Sequence, residues 1–292
     1  MFFTGPKTPV TNKKPRDYTF RIASSGNTST NNKKNFNILE PSSGNSSLFS
    51  RPNIEVIIRG HIREAFSNND LRDFIMVLKE TYNTRIFIHT WAEKNGSRSW
   101  KENYKFKKNK DLNEQKKQDT TPVTINMIEE YFINIELAHI MIENDQNLTL
   151  VGQKDGLICK SLCPIIAWKN MWAGRYNLIH AINNLVKPDS TVLEFRFDLF
   201  SISNSCNSLF TVNSVYEKCK NLKTSFMEDK PKCFSTRYIC GLDNFMIGSF
   251  KQLFDLITWF HTDLDNIIAL YPNVEAQEFL VLIMINRGRI SK

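Results

Sequence analysis

Residues 54–91 read IEVIIRGHIREAFSNNDLRDFIMVLKETYNTRIFIHTW. The β-branched run Ile54, Val56, Ile57 and Ile58 predicts a short buried strand that ends at Arg59, Gly60 and His61. Between Asn69 and Tyr82, Leu71, Phe74, Ile75 and Leu78 recur at helical spacing behind candidate caps at Asn69 and Asp70. Arg85 to His89 then predicts a second apolar strand. Strand, helix, strand implies parallel strands joined by a right-handed crossover, with ligands beyond the carboxyl ends of the strands. Gly60, His61, His89, Thr90 and Trp91 are therefore expected at a ligand crevice.

Further along, Thr124–Ile142 carries Ile128, Tyr131, Phe132, Ile135 and Ala138 with the spacing of an amphipathic helix, which puts His139 on its surface. A second helix is predicted over Pro164–Leu185, with Ile165, Trp168, Trp172, Tyr176 and Ile179 along one face and Pro188 beyond its end. Trp168 and Trp172, four apart, belong to the core in this reading. Thr191–Phe197 is the next strand, closed by Arg196 and Asp198. Cys233–Cys240 is a further candidate strand, Gly241–Asn244 a turn, Phe245–Ile247 a strand, and the residues through Phe260 an apolar helix. Ala276–Ile285 is buried, as helix or strand.

Outside this alternating region the chain changes character. Up to Ser50 it is rich in Ser, Asn, Thr, Lys and Pro, and its seven Lys and Arg residues face only Asp17 and Glu40. Residues 1–50 are expected to be a flexible basic tail, and 51–292 a single domain interrupted by a lysine-rich loop near 94–120. The formal charge of +8 thus lies mostly off the folded part, and the 21 phenylalanines suffice for a real core. Met1–Val10 holds Pro6 and Lys7 where a leader needs an apolar run, and no stretch approaches a membrane span. Six cysteines without a CxxC pair or a histidine at zinc spacing point to free thiols in a cytoplasmic protein.

Charged and polar groups at strand ends are the candidates for chemistry. A transferase that uses a nucleotide sugar must hold a diphosphate and stabilise charge on the leaving phosphate, through a divalent cation or through cationic side chains. Asp198 could hold the cation, and Arg196 could add a charge-assisted contact to phosphate; the alternative is a structural Arg–Asp pair. Asp243 could act as general base, as a second metal ligand, or as the cap of the following helix. Glu278 is a third carboxylate, with a helix surface as its other reading. No catalytic Ser or Cys triad, P-loop or GxGxxG fingerprint is present, which argues against hydrolase, NTPase and dinucleotide-dependent readings.

Five segments carry a resemblance: 57–62 (IIRGHI), 86–91 (IFIHTW), 168–183 (WKNMWAGRYNLIHAIN), 192–199 (VLEFRFDL) and 240–249 (CGLDNFMIGS). In motif and order the chain resembles glycosyltransferase-like proteins of bacterial surface-polysaccharide loci and large DNA viruses. The resemblance implies a Rossmann-like, GT-A type α/β domain with a mixed, mostly parallel sheet flanked by helices. It implies that a nucleotide-sugar donor lies near Arg59, Gly60, His61, His89, Thr90 and Trp91. It also implies a glycan or protein acceptor with Asp243 beside it, and a location in host cytoplasm or virion if the source is viral. Asp198 takes the place of the metal-binding aspartate of the DxD motif, for Mn or Mg, while Arg196 replaces its first aspartate, so a cation-independent phosphate contact through Arg196 is the other option. The competing functions are a related phosphosugar or nucleotidyl transferase, and a non-catalytic nucleotide or nucleic-acid binding protein in which the basic tail and Lys101–Lys117, with Trp100, Tyr104 and Phe106 near the lysines, contact nucleic acid.

Overall fold

Ile54, Val56, Ile57 and Ile58 build the central strand β1 (Asn53–Arg59), which is buried from its second residue onward. The structure, a computed structural model, describes residues 51–95, 119–161, 163–200, 232–233 and 244–287. The expectations for the tail, the lysine-rich loop, Asp243, Cys206, Cys219 and Cys240 lie outside the described residues. β1 continues through a 3-10 turn (Ala65–Ser67) into α1 (Asp70–Thr81) and β2 (Asn83–Trp91). α1 buries Leu71, Phe74, Ile75 and Leu78 and carries Asp70 and Asp73 in its first turn, where they complement the helix dipole. Asn69 stands at the cap position but makes no side-chain cap; Asn68 Oδ1 instead accepts from the Asp70 amide at 3.0 Å.

The predicted helix over 124–142 is two elements. Thr124 caps a short α2 (Ile125–Tyr131), Asn134 takes a left-handed φ of 65° that ends helical geometry, and β3 (His139–Glu143) follows. His139 therefore opens a strand rather than decorating a helix. The later chain supplies α3 (Ile165–Ala181), β4 (Thr191–Arg196), a 3-10 turn (Phe197–Leu199), the two-residue β5 (Lys232–Cys233), β6 (Phe245–Ser249), α4 (Phe250–Thr262), α5 (Leu264–Leu270) and α6 (Glu278–Arg287). Asp198 thus sits in a 3-10 turn just past β4. Of the segment 276–285, the residues from Glu278 onward form helix. Of the candidate strand 233–240, Cys233 lies in β5 and the rest lies outside the described residues. No described helix is long and apolar enough to cross a membrane.

The strands form one sheet in the order β3-β2-β1-β4-β6-β5. β1, β2, β3 and β4 run parallel, and β6 pairs antiparallel with both β4 and β5. Strand order grows outward from β1 to β3 and then jumps back to β4. Because parallel crossovers keep one hand, the reversal moves the connecting helix to the other face. α1 and α2 share one core with Ile54, Val56 and Ile58, whereas α3 to α6 share a second core with Ile57 and Phe87. The chain is therefore a Rossmann-like α/β fold with its topological switch between β1 and β4. Register sets Arg59 level with His89 on β2 and with Arg196 on β4.

Candidate functional site

At the switch the chain leaves β1 through an unusual turn. Gly60 has a φ of +91°, and a Cβ built on it would meet no atom within 4 Å. Three residues later Arg63 takes a φ of 49°, a left-handed conformation that is strained for a residue with a side chain. Two backbone bonds hold this turn against β2 and the residues after it: Gly60 N to His89 O at 3.1 Å and Arg63 N to Lys94 O at 2.9 Å. The result lifts His61 and Arg63 to the carboxyl end of the sheet, beside the end of β4.

There a single carboxylate joins two guanidinium groups. Asp198 Oδ2 accepts from Arg63 Nη1 and from Arg196 Nη2, each at 2.7 Å, and Oδ1 accepts from Arg196 Nε at 2.8 Å. Asn244, just ahead of β6, accepts from Arg196 Nη1 at 3.1 Å through Oδ1 and from its backbone N–H at 3.2 Å through its carbonyl. The Asp198 side chain is only 3% exposed, whereas those of Arg63 and Arg196 are each 23% exposed. One buried anion thus holds two partly exposed guanidinium groups. Such charge-assisted, partly bidentate pairs fix orientation as well as charge. Both Asp198 oxygens receive guanidinium N–H groups, so a divalent cation there would compete with Arg63 and Arg196 for the carboxylate. Among the described residues no group of three His, Cys, Asp or Glu could hold a metal ion.

His61 completes the rim. Burial, and then the neighbouring Arg63, push its pKa down to about 3, so the ring is neutral near neutral pH. Nδ1 lies 3.3 Å from the Glu93 carbonyl, and the ring stands 5.9 Å from that of Trp91 at an interplanar angle of 38°.

Beneath the rim lies a buried polar layer facing α3. Arg59 donates through Nε to Glu194, and Arg175 of α3 lies with its Nε 2.9 Å from the same Glu194 oxygen while its guanidinium covers the Trp172 ring at 4.3 Å. His89 Nε2 pairs with Glu143 Oε2 at 2.8 Å, and Asn177 Nδ2 donates to the Glu143 carboxylate at 2.9 and 3.1 Å. Burial pushes the Glu143 carboxyl up, but hydrogen bonds from His89 and Asn177 outweigh it and hold the group below its ordinary value. Gly174 leaves the space for this ring: a methyl there would overlap the His89 imidazole.

The residues expected at the crevice therefore divide. Gly60, His61 and Arg196 come together, partly exposed, at the carboxyl end of the sheet, with Asp198 buried behind them. Arg59, His89, Thr90 and Trp91 are buried below it, at 4% exposure or less, because β2 runs two residues past the predicted end of its strand. Trp91 forms a wall between His89, at a centroid distance of 4.8 Å, and His61. Thr90 points to the opposite face, where its hydroxyl has no hydrogen-bond partner among the described residues. Trp168 and Trp172 belong to the core, packed on Phe260. Arg63 and Asn244 are site residues that the motif reading passed over; Arg63 follows the IRGHI turn directly, and that proximity was the available signal.

No family model, no curated protein and no solved structure matches the chain, so the site is read from its own geometry.

Proposed function

We propose that the chain binds the diphosphate of a nucleotide sugar at the Arg63–Asp198–Arg196 fork and moves the sugar to a hydroxyl of a glycan or protein acceptor. The observation that supports this reading is the fork itself: two partly exposed guanidinium groups aligned by one buried carboxylate, at the end of the sheet where α/β folds receive ligands. The motif resemblance of the strand ends points the same way. Asp198 is then a positioning residue, and the contact to phosphate runs through arginine without a cation.

In the transfer, the bond from the anomeric carbon to the phosphate oxygen breaks, and its electron pair leaves with the nucleoside diphosphate. A bond forms from the acceptor oxygen to the anomeric carbon, and the acceptor proton passes to a base. Guanidinium groups already oriented before the reaction stabilise the charge growing on the leaving oxygen without reorganising. Asp243, adjacent in sequence to Asn244, is the base in this reading.

Calorimetric titration of the full chain with UDP-, GDP- and dTDP-sugars, each with EDTA and with manganese, tests the proposal. One donor should bind, Arg63→Gln and Arg196→Gln should each weaken it at least about tenfold, and nucleoside diphosphate should accumulate once an acceptor is added. Binding of oligonucleotide with no response to any donor would replace the transferase reading with the nucleic-acid one.

A further inference from the structure

We infer that His61 accepts a hydrogen bond from a hydroxyl on the group that the phosphate carries, so that the crevice selects sugar phosphates over bare phosphates. The inference rests on the reading of the Arg63–Asp198–Arg196 fork as a phosphate site.

The tautomer follows from the partner. A backbone carbonyl can only accept, so the 3.3 Å contact between Nδ1 and Glu93 O puts the ring proton on Nδ1. Nε2 then carries a lone pair, and among the described residues it has no hydrogen-bond partner. The charged groups that act on this ring are Arg63, Arg196 and Asp198, and burial with the arginines keeps the imidazole neutral. Its acceptor is therefore permanent rather than a state lost near neutral pH.

A rim built this way has two chemistries side by side. Arg63 and Arg196 offer only donors, which suit an anion; His61 Nε2 offers only an acceptor, which suits O–H or N–H. A bare phosphate or pyrophosphate keeps any remaining proton on an oxygen bonded to phosphorus, so a group turned to two guanidinium groups has no separate donor to extend to His61. A sugar phosphate has one, because its hydroxyls lie a few bonds from the phosphorus. The setting agrees: among the described residues, chain neighbours aside, no atom lies within 4 Å of a Cβ built on Gly60, next to His61.

The full chain is titrated with pyrophosphate and with UDP-glucose, GDP-mannose and dTDP-glucose, and the tightest of the three sugars is carried forward. That sugar should bind at least about tenfold more tightly than pyrophosphate. His61→Phe, which keeps a flat ring without the acceptor, should erase this advantage and leave pyrophosphate affinity within about twofold, and His61→Gln should restore most of it. Thermal unfolding of each variant reports whether it is folded; if His61→Phe is not, the His61→Gln comparison and hydroxyl-deleted (deoxy) analogues of the same sugar nucleotide carry the test on the native ring. Equal losses for pyrophosphate and sugar, or no loss for either, would overturn the role of His61 while leaving the phosphate site standing. If neither pyrophosphate nor any sugar nucleotide binds, the site reading falls with it.

Discussion

Gly174 of α3 lies against the His89 ring so closely that no side chain larger than hydrogen fits between them. In an ordinary helix interior, replacing glycine with alanine stabilises by about 1 kcal/mol. Here the added methyl must displace a ring that is fixed by Glu143, and overpacking of this kind costs about 1–3 kcal/mol. Gly174→Ala is therefore expected to lower the urea midpoint rather than raise it. A raised midpoint would show that the His89 ring moves freely.

Asp198→Asn separates positioning from simple charge. The substitution leaves more net positive charge at the rim, so electrostatics alone predicts tighter anion binding. Loss of the anion that aligns Arg63 and Arg196 predicts weaker binding, by about threefold to tenfold for pyrophosphate. Titration calorimetry decides between them, and tighter binding would remove Asp198 from its positioning role.

Glu194 sits between two arginine side chains, and all three are at most 3% exposed. Glu194→Gln leaves buried guanidinium charge without its counterion, a change that costs about 3–5 kcal/mol. The exposed pair Lys251–Asp255 is the control: both side chains are more than half exposed, and Lys251→Gln should cost below about 1 kcal/mol. Chemical denaturation of both variants measures the contrast.

Acid should unfold the chain partly through His61. Its pKa is about 3 in the folded chain, against 6.5 for the free side chain, so the unfolded chain takes up the proton first as pH falls. Its contribution is complete above 6.5 and is lost progressively between 6.5 and about 3, at no more than ~1.4 kcal/mol per pH unit. Unfolding free energies across that window should fall less steeply in His61→Gln than in the native chain. Identical slopes would mean that the folded protein holds the His61 proton as readily as the unfolded one does.

Much of the fold was legible because its signals are local. The runs Ile54–Ile58 and Ile86–Ile88 are too short and too β-branched for helix, and Phe74 and Leu78 repeat at a helical interval. The segment 124–142 misled because Ile128, Phe132 and Ile135 fit a helix while Ile140 and Ile142 fit a strand, and only the turn at Asn134 separates them. The site was legible in part. Arg196 and Asp198 are two residues apart and could be read as a unit; Arg63 is 135 residues from the carboxylate it bonds, and no local pattern carries that pairing. His89 was expected at the rim for a similar reason: whether a strand stops at residue 89 or 91 is decided by its neighbour β3, which runs alongside to Glu143.

β6 runs against β4, so the excursion between Arg196 and Asn244, which includes β5, begins and ends on the same rim. Both ends of that excursion are tied to the arginine, one by covalent bonds and the other by two hydrogen bonds. The Arg196 guanidinium is thereby held both from β4 and from the residue that precedes β6, and its position depends on both. A change at Asn244 would therefore reach the arginine without touching the carboxylate that pairs with it.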